Sequence, residues 1–208
     1  MAKVIWEEAV KPLLKKYKNK KHPIYYSNIY QLIVVVVLSA RATDKYINQL
    51  SPKFFKSLPD FESLSNSSPE LLYPLIKGVP GFNKKAVWLI EIAKQLKKKK
   101  EIPLSIKELS SLPGIGRKSA NVIRREAGEK PEGVIVDLHV LRVAPRLGIA
   151  EGDDPKKIED QLMQALPQKD WDAGMAMSFL GREICRPTNP DCPECVMNGV
   201  CKYYNKGK

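Results

Sequence analysis

Apolar residues recur at three- and four-residue spacing along most of this chain, in segments separated by glycine, proline and short polar stretches. Such spacing places the apolar side chains on one face of an α-helix. No segment shows the regular alternation of apolar and polar residues that is typical of partner strands in a half-buried sheet. The pattern therefore predicts an all-α fold, with helices at about residues 3–17, 28–40, 44–56, 69–76, 83–98, 106–111, 117–127, 138–147, 155–165 and 170–182.

Residues 32–38, Leu-Ile-Val-Val-Val-Val-Leu, are the exception to the helical pattern, because four consecutive valines favour a strand by propensity. Since no partner strands are predicted, a buried central helix is the better interpretation. The polar stretch 63–68 and the lysine-rich stretches 15–21 and 97–100 are expected to be solvated faces or loops. Pro145 is expected to kink or end its helix.

The composition describes a globular protein with a polyanionic partner. A chain of 208 residues allows one domain or two small ones, and 43% hydrophobic with 28% charged residues is enough to bury a core. The net charge of +12 makes nucleic acid the leading partner, although charge alone leaves a merely soluble basic protein equally open. The first ten residues do not read as a secretory signal, and the longest apolar run is too short to cross a bilayer. We expect a cytoplasmic protein with no membrane function.

Residues 112–121, LPGIGRKSAN, predict a hairpin of two helices joined by a tight turn, with the second helix ending before Gly128. Gly114 and Gly116 would allow backbone conformations and close approaches that larger residues deny. The exposed amides at the start of the second helix could then receive a phosphate oxygen. An ordinary helix–helix turn is the alternative, because a Gly-x-Gly pair alone is a weak signal.

Two residues of this region carry possible chemistry. Lys118 lies in the first turn of the second helix, where the helix dipole and partial burial would lower its pKa and favour a nucleophilic amine. Asp137 follows the apolar segment 134–136 at a predicted helix N-cap, where hydrogen bonds would keep it ionised. Taken singly, Lys118 also reads as a solvated lysine, and Asp137 as a plain helix cap.

The four cysteines share the spacing C-x6-C-x2-C-x5-C within the last 24 residues of the sequence. Four thiolates so close together are typical of one metal centre. The spacing leaves zinc and an iron–sulfur cluster equally open, and disulfides are a third and weaker option. The cysteines are Cys185, Cys192, Cys195 and Cys201.

Together, residues 38–44 (LSARATD), the 112–121 hairpin, residues 136–139 (VDLH) and the cysteine tail resemble the endonuclease III family of helix-hairpin-helix DNA glycosylases. The resemblance covers almost the whole chain. It implies an all-α, two-lobed fold: a six-helix barrel at residues 22–133 with the hairpin, and a second helical lobe formed by residues 1–21 and 134–208. The four cysteines match the ligands of a [4Fe–4S] cluster, held by the loop 185–201.

The resemblance also implies a mechanism. Double-stranded DNA with a damaged base or an abasic site would lie in the cleft between the lobes, and the damaged nucleotide, an oxidised pyrimidine in this family, would be flipped out. Lys118 matches the catalytic lysine, which forms a Schiff base and nicks the strand by β-elimination. Asp137 matches the catalytic aspartate, which helps to deprotonate the lysine and stabilises positive charge on the sugar. Gly114, Gly116 and Arg117 are expected to contact DNA, and the protein is expected to be a monomer.

Two departures from the family pattern concern the substrate. Arg41 stands where the family has a glutamine that fills the gap left by the flipped nucleotide, and Gly81 stands where the family has an apolar wedge. Phe82 or Pro80 is a candidate replacement for the wedge, with barrel core as the alternative for Phe82, and Arg41 is a candidate for the orphan base or for a phosphate. His139 is expected either to contact a phosphate or to cap and pack. These departures leave two further hypotheses: a glycosylase of shifted lesion specificity or mainly abasic-site lyase activity, and a noncatalytic DNA-binding module.

Overall fold

The structure is a computed structural model that describes residues 4–99 and 101–206. No strand occurs among these residues, and the all-α prediction is confirmed. None of the helices that the structure describes is long and apolar enough to cross a membrane. In chain order the helices are α1 (Trp6–Ala9), α2 (Lys11–Tyr17), α3 (Ile29–Ser39), α4 (Asp44–Ser57), α5 (Phe61–Ser65), α6 (Pro69–Ile76), α7 (Phe82–Leu96), α8 (Ile106–Ser110), α9 (Arg117–Glu126), α10 (Val140–Leu147), α11 (Pro155–Ala165), α12 (Ala173–Glu183) and α13 (Lys202–Asn205), with a short 3-10 helix at Gln168–Asp170.

The chain divides into two compact units. One of them, the hairpin unit, is the continuous segment Lys21–Lys130 and contains α3 to α9. The other, the cysteine unit, combines Met1–Lys20 with Pro131–Lys208 and contains α1, α2 and α10 to α13. The cysteine unit is therefore built from two stretches of chain that the whole hairpin unit separates in sequence.

Helix α3 is the buried helix of the hairpin unit. All residues from 32 to 38 are buried, and α3 packs against α4, α7 and α9. In a helix, valine costs at most about 0.7 kcal/mol relative to alanine, whereas burying one valine or leucine side chain contributes roughly 1.5–3 kcal/mol. Burial therefore outweighs the strand propensity of the four valines, as the interpretation of a buried helix requires. Asn28 caps the helix, since its side chain accepts a hydrogen bond from the amide of Gln31 at 2.9 Å.

The expectation of a solvated loop at residues 63–68 is wrong for its first half, which belongs to α5. Asp60 and Ser63 form a capping box at the start of this helix. The amide of Ser63 donates to Oδ1 of Asp60 at 2.7 Å, and the amide of Asp60 donates to the Ser63 hydroxyl at 3.2 Å. Leu64 is buried. One turn of helix with one buried leucine is too short to produce a recognisable apolar period.

Prolines affect two other helices in different ways. The predicted helix at 3–17, whose residue 3 lies outside the described residues, is divided at Val10 into α1 and α2. Pro12 has no N–H to continue the α1 hydrogen bonds, so a new helix begins around it. Helix α10, by contrast, continues through Pro145 and ends at Gly148, whose φ is +91°. Of the kink or end expected at Pro145, the end is wrong, because a glycine in the left-handed conformation ends this helix.

The remaining predicted helices agree with the structure to within three residues at either end, and the short α13 was not predicted. In the cysteine unit, α12 is buried along most of its length and packs against α2 and α10. A Cβ atom at Gly174 would lie 2.5 Å from the carbonyl oxygen of Ile135. Helix α12 therefore lies directly against the segment that leads to Asp137.

Candidate functional site

The turn between α8 and α9 requires glycine at one of its two glycine positions. Gly114 has a φ of +76°, which side chains rarely adopt, and a Cβ atom there would lie 2.5 Å from Cε3 of Trp88 on α7. Gly116 has a φ of −88°, and a Cβ atom there would meet no atom within 4 Å. The expected backbone freedom is therefore used at Gly114 alone. At Gly116, the missing side chain leaves the approach to the start of α9 open.

Two cationic side chains, Arg117 and Lys118, occupy the first turn of α9. Lys118 is exposed, so the partial burial expected for it is wrong, and Arg117 is half-buried. The helix dipole disfavours cations at this end and favours anions. An anion approaching the turn would meet the first amides of the helix together with two positive side chains.

His22 is a residue of the hairpin unit that the sequence pattern did not single out. Burial lowers the pKa of His22 below its usual value, against the raising effects of Glu126 and Asp44, and the positive charge of Lys118 lowers it further. The His22 imidazole therefore favours its neutral form and lies close enough to Lys118 to be affected by its charge. A lone histidine outside any motif gives no sequence signal for this arrangement.

Asp137 lies in the cysteine unit, just before α10, whereas Lys118 belongs to the hairpin unit. The amides of His139 and Val140 each donate to Oδ1 of Asp137 at 2.9 Å. The prediction that Asp137 is the N-cap is wrong, because the N-cap residue of α10 is His139. The hydroxyl of Ser178, a fully buried residue of α12, donates to Oδ2 at 2.6 Å. Both carboxylate oxygens are therefore held in fixed directions. Ser178 was not predicted, because it is far from Asp137 in sequence.

His139 is half-buried beside the same carboxylate. Its Nδ1 lies 3.3 Å from a guanidinium nitrogen of Arg142. A Cβ atom at Gly181 on α12 would lie 2.8 Å from the Cβ of His139. These contacts favour packing; His139 is the N-cap residue of α10, but its side chain makes no capping hydrogen bond.

The connection between α3 and α4 is a tight turn that carries Arg41 on the exterior of the protein. The amide of Ala42 donates to the carbonyl of Ser39 at 2.9 Å, and Arg41 has a φ of +63°. Arg41 is exposed, whereas Lys85 of α7 is buried behind the turn. The Lys85 ammonium group donates to the carbonyl of Leu38 at 2.9 Å and to that of Ala40 at 2.6 Å.

Gly81 and Phe82 form the start of α7. Gly81 has a φ of +70°, so this position favours glycine for a conformational reason, and an apolar wedge would be strained there. Phe82 is half-buried, and its ring packs edge-on against Tyr73 with centroids 5.4 Å apart. The structure therefore gives Phe82 a packing contact, and its exposed portion remains the candidate replacement for the wedge.

The four cysteines line one pocket of the cysteine unit. All four are free thiols, so the disulfide alternative does not hold in this structure. Apolar side chains complete much of the lining, among them Leu147, Leu180 and Ile184. Within the described part of the chain, no group of three or more His, Cys, Asp or Glu side chains is arranged to hold a metal ion.

The thiols lie close enough to influence one another's ionisation. Burial raises the pKa of Cys192 and of Cys195, and the neighbouring cysteines of the pocket raise both further. Burial also raises the pKa of Tyr17 to about 12, with an added effect of Cys195. A positive charge in the pocket would act in the opposite direction on each of these groups.

Arg146 of α10 fastens the cysteine loop. One guanidinium nitrogen lies 3.6 Å from Sγ of Cys185 and donates to the carbonyl of Arg186 at 2.8 Å. The other donates to the carbonyl of Pro187 at 3.0 Å. The guanidinium group also stacks on the ring of Tyr203 at 4.6 Å. Arg146 therefore connects α10 with residues at both ends of the cysteine loop.

The sequence of this chain is similar to those of known DNA repair proteins. Residues 34–168 match the HhH-GPD superfamily of base excision DNA repair proteins. An endonuclease III from Thermotoga maritima is 34% identical over 205 residues, which cover 96% of this chain and 93% of that protein. An endonuclease III from Rickettsia conorii is 37% identical over 190 residues, covering 89% and 90% respectively.

A solved structure of a trapped covalent intermediate between endonuclease III and DNA matches with a TM-score of 0.85 at 29% identity, over 96% of this chain and 95% of that one. The chain belongs to the endonuclease III family of base excision DNA repair enzymes. The resemblance and the fold class predicted from the sequence are confirmed.

Proposed function

We propose that this protein is a bifunctional DNA glycosylase and abasic-site lyase that removes oxidised pyrimidines from double-stranded DNA. The observation that carries the proposal is Lys118, an exposed amine in the first turn of α9, directly after the hairpin turn. An amine in this position has access to a substrate, and the open space in front of Gly116 leaves room for a DNA backbone beside it. A net charge of +12 supports a polyanionic substrate.

Lys118 is assigned the role of nucleophile. The damaged nucleotide leaves the base stack, and the neutral amine attacks C1′ of its sugar. The N-glycosidic bond breaks, and the base departs with the bonding electrons and takes up a proton. Opening of the sugar ring gives a Schiff base between the lysine nitrogen and C1′. The imine draws electrons from C2′, so loss of a C2′ proton expels the 3′ phosphate and nicks the strand.

Asp137 is assigned the stabilisation of the positive charge that develops on the sugar as the base departs. Such stabilisation accelerates the step because the charge exists in the transition state and not in the bound substrate. The hydrogen bonds from His139, Val140 and Ser178 fix the carboxylate in advance. No reorientation of the negative charge is then needed during the reaction.

We assign the cysteine pocket to a [4Fe–4S] cluster. Four free thiols line one pocket with largely apolar surroundings, and four thiolates are the usual ligand set of this cluster. We assign Cys185, Cys192, Cys195 and Cys201 as its ligands. When bound, the cluster would stabilise the cysteine unit and serve a structural or DNA-sensing role.

The remaining contacts with DNA are assigned by position. The open backbone at Gly116 and the first turn of α9 would receive phosphates, which position the duplex without reading its sequence. Arg41 and Phe82 would lie near the damaged base pair, and His139 would contact a phosphate in addition to its packing. The assigned residues are Arg41, Phe82, Gly114, Gly116, Arg117 and His139. We expect a monomer that works in the cytoplasm, on the DNA of the cell.

A second candidate function is the same chemistry with a shifted lesion preference. It is supported by Arg41, which departs from the family pattern and has a positive φ that is uncommon for arginine. A noncatalytic DNA-binding module is not favoured for a member of this enzyme family. Turnover on a panel of duplexes with different lesions would separate the two glycosylase candidates.

The test of the proposed function is borohydride trapping on a duplex with a single abasic site. The intact protein should form a covalent adduct, and Lys118→Ala should form none, because the imine that borohydride reduces requires the lysine nitrogen. Lys107→Ala is the matched control, since Lys107 is also an exposed lysine in the first turn of a helix of the hairpin unit. An adduct that persists in Lys118→Ala would remove Lys118 as the nucleophile.

The cluster assignment is tested on the purified protein. Visible absorbance with iron and sulfide in a ratio of about four to each chain is expected, and Cys192→Ser should lose it. A colourless protein that contains zinc would overturn the assignment. Unfolding of the cysteine unit in the variant is expected, because bound metal contributes to the stability of its site.

A further inference from the structure

The turn that carries Arg41 has the geometry of a type II β-turn. Ala40 has φ −57° and ψ 114°, Arg41 has φ +63°, and the amide of Ala42 closes the turn on the carbonyl of Ser39. The third position of a type II turn usually holds glycine or asparagine, because it requires a positive φ. An arginine in this position is uncommon, and such strained conformations cluster where a side chain has a function.

Lys85 fastens this turn from the inside of the hairpin unit. Only 4% of its surface is exposed, and its ammonium group donates to the carbonyls of Leu38 and Ala40. These carbonyls belong to the last turn of α3 and its cap, where a helix has unsatisfied acceptors and favours a cation. The polar contacts that the structure describes for Lys85 are thus backbone oxygens on both sides of Ser39.

Burying the charged form of Lys85 costs free energy. Burial lowers the pKa of Lys85 to about 8, and the positive charge of Arg41 contributes to the lowering. A buried lysine whose described polar contacts are backbone carbonyls is uncommon, since buried charges are generally paired. An apolar residue would pack in α7 without this cost, so a role for the ammonium group in holding the turn accounts for its presence.

We propose that Lys85 is a positioning residue, which holds the turn of residues 39–42 in the strained form that presents the Arg41 guanidinium group to a pair of acceptors on DNA. The proposal rests on the proposed function, because it takes the DNA contact of Arg41 from there. A planar guanidinium fork needs a defined direction to make two parallel hydrogen bonds. A DNA phosphate and the O6/N7 edge of a guanine both offer such a pair.

The experiment is a double-mutant cycle in the complete, cluster-loaded protein. The variants are Arg41→Gln, Lys85→Met and the double variant, with Lys85→Arg as the conservative replacement that keeps the cation. Affinity is measured on duplexes that carry a tetrahydrofuran abasic analogue opposite each of the four bases, at several salt concentrations. Arg41→Gln and Lys85→Met should each weaken binding by about tenfold or more, and the double variant should be no weaker than Arg41→Gln alone. Lys85→Arg should recover most of the loss.

Two readouts distinguish the acceptors. A loss confined to the duplex with guanine opposite the analogue identifies a base edge, whereas an equal loss on all four duplexes, with a salt slope smaller by about 0.9, identifies a phosphate. Losses that add in the double variant, or unchanged binding in Lys85→Met, would overturn the proposal.

A replacement variant and a trapping assay serve as controls for the double-mutant cycle. If Lys85→Met fails to fold, Lys85→Gln, which keeps a shorter donor, takes its place in the cycle. Borohydride trapping is run on every variant: an adduct from Lys85→Met with altered affinity shows that the chemistry is intact. Absence of an adduct from the unmodified protein would reject the proposed function, while the affinity cycle would still decide the role of Lys85.

Discussion

The two glycines of the hairpin turn provide a matched pair of substitutions with opposite expectations. Gly114→Ala introduces a side chain where φ is +76° and where Trp88 occupies the space. Gly116→Ala introduces the same methyl group where φ is −88° and where no protein atom lies within 4 Å. The chemical change is identical, and the two sites are two residues apart in the same turn.

The structure gives the magnitude of each effect. The left-handed conformation costs alanine roughly 1–2 kcal/mol, and forcing a group into a filled space typically costs about 1–3 kcal/mol. Gly114→Ala should therefore lower the free energy of unfolding by about 2–5 kcal/mol, a large share of the roughly 5–15 kcal/mol that is typical of folded domains. Gly116→Ala should change it by less than about 0.5 kcal/mol, because neither cost applies there.

For DNA binding, Gly116→Ala is the substitution with the direct effect. If a DNA phosphate approaches the backbone in front of Gly116, a methyl group there would hold it away and weaken binding by about tenfold, or roughly 1.4 kcal/mol. Urea unfolding measures the stabilities, and fluorescence anisotropy with a duplex containing a tetrahydrofuran abasic analogue measures the affinities. Equal destabilisation by both substitutions would refute the geometric reasoning, and unchanged affinity of Gly116→Ala would refute the close approach of the phosphate.

Three further predictions concern residues outside the hairpin turn. Ser178→Ala removes one of the three hydrogen bonds described for the Asp137 carboxylate and should lower the single-turnover rate of base excision by about tenfold while DNA affinity stays within about twofold; an unchanged rate would show that the backbone amides suffice. Arg146→Met should loosen the loop at Cys185 and shorten the lifetime of the visible absorbance in air, with Arg186→Met, whose side chain is exposed, as control; equal lifetimes would contradict the fastening role. Because the pKa of Lys85 lies near 8 in the folded protein and 10.5 is its usual value, the unfolded chain binds more protons between these pH values, so stability should rise with pH there relative to Lys85→Met; parallel pH profiles in urea unfolding would exclude a buried, titrating ammonium group.

Local features of the fold could be predicted, because their causes are local in sequence. The 32–38 run is apolar on every side, which already indicates a helix buried on every side. Asp137 lies three residues before the first residue of α10, so its hydrogen bonds to the amides of His139 and Val140 are local in sequence. Gly114 and Gly116 could be assigned to one turn, but their different φ values depend on how that turn closes against Trp88.

The supporting contacts could not be predicted, because they join residues that only the folded chain brings together. Ser178 is 41 positions from Asp137, and Lys85 is 47 positions from Leu38. No periodicity or motif connects such pairs, and each partner reads as ordinary in its own segment. Gly81 is a further example. The sequence shows that an apolar wedge is missing there, but only the φ of +70° in the folded chain shows why glycine is suited to this position.

The division of the cysteine unit between two stretches of chain has a consequence for the order of assembly. Tyr17 of α2 packs its ring against Phe179 of α12 at 5.7 Å and donates a hydrogen bond to Glu183 at 3.1 Å. During synthesis, α2 therefore cannot contact α12 until the segment Lys21–Lys130 and the residues from 131 to 183 have been made. The hairpin unit is continuous and can fold in that interval. The cysteines follow α12 in the chain, so we expect the hairpin of α8 and α9 to form before any cofactor is bound.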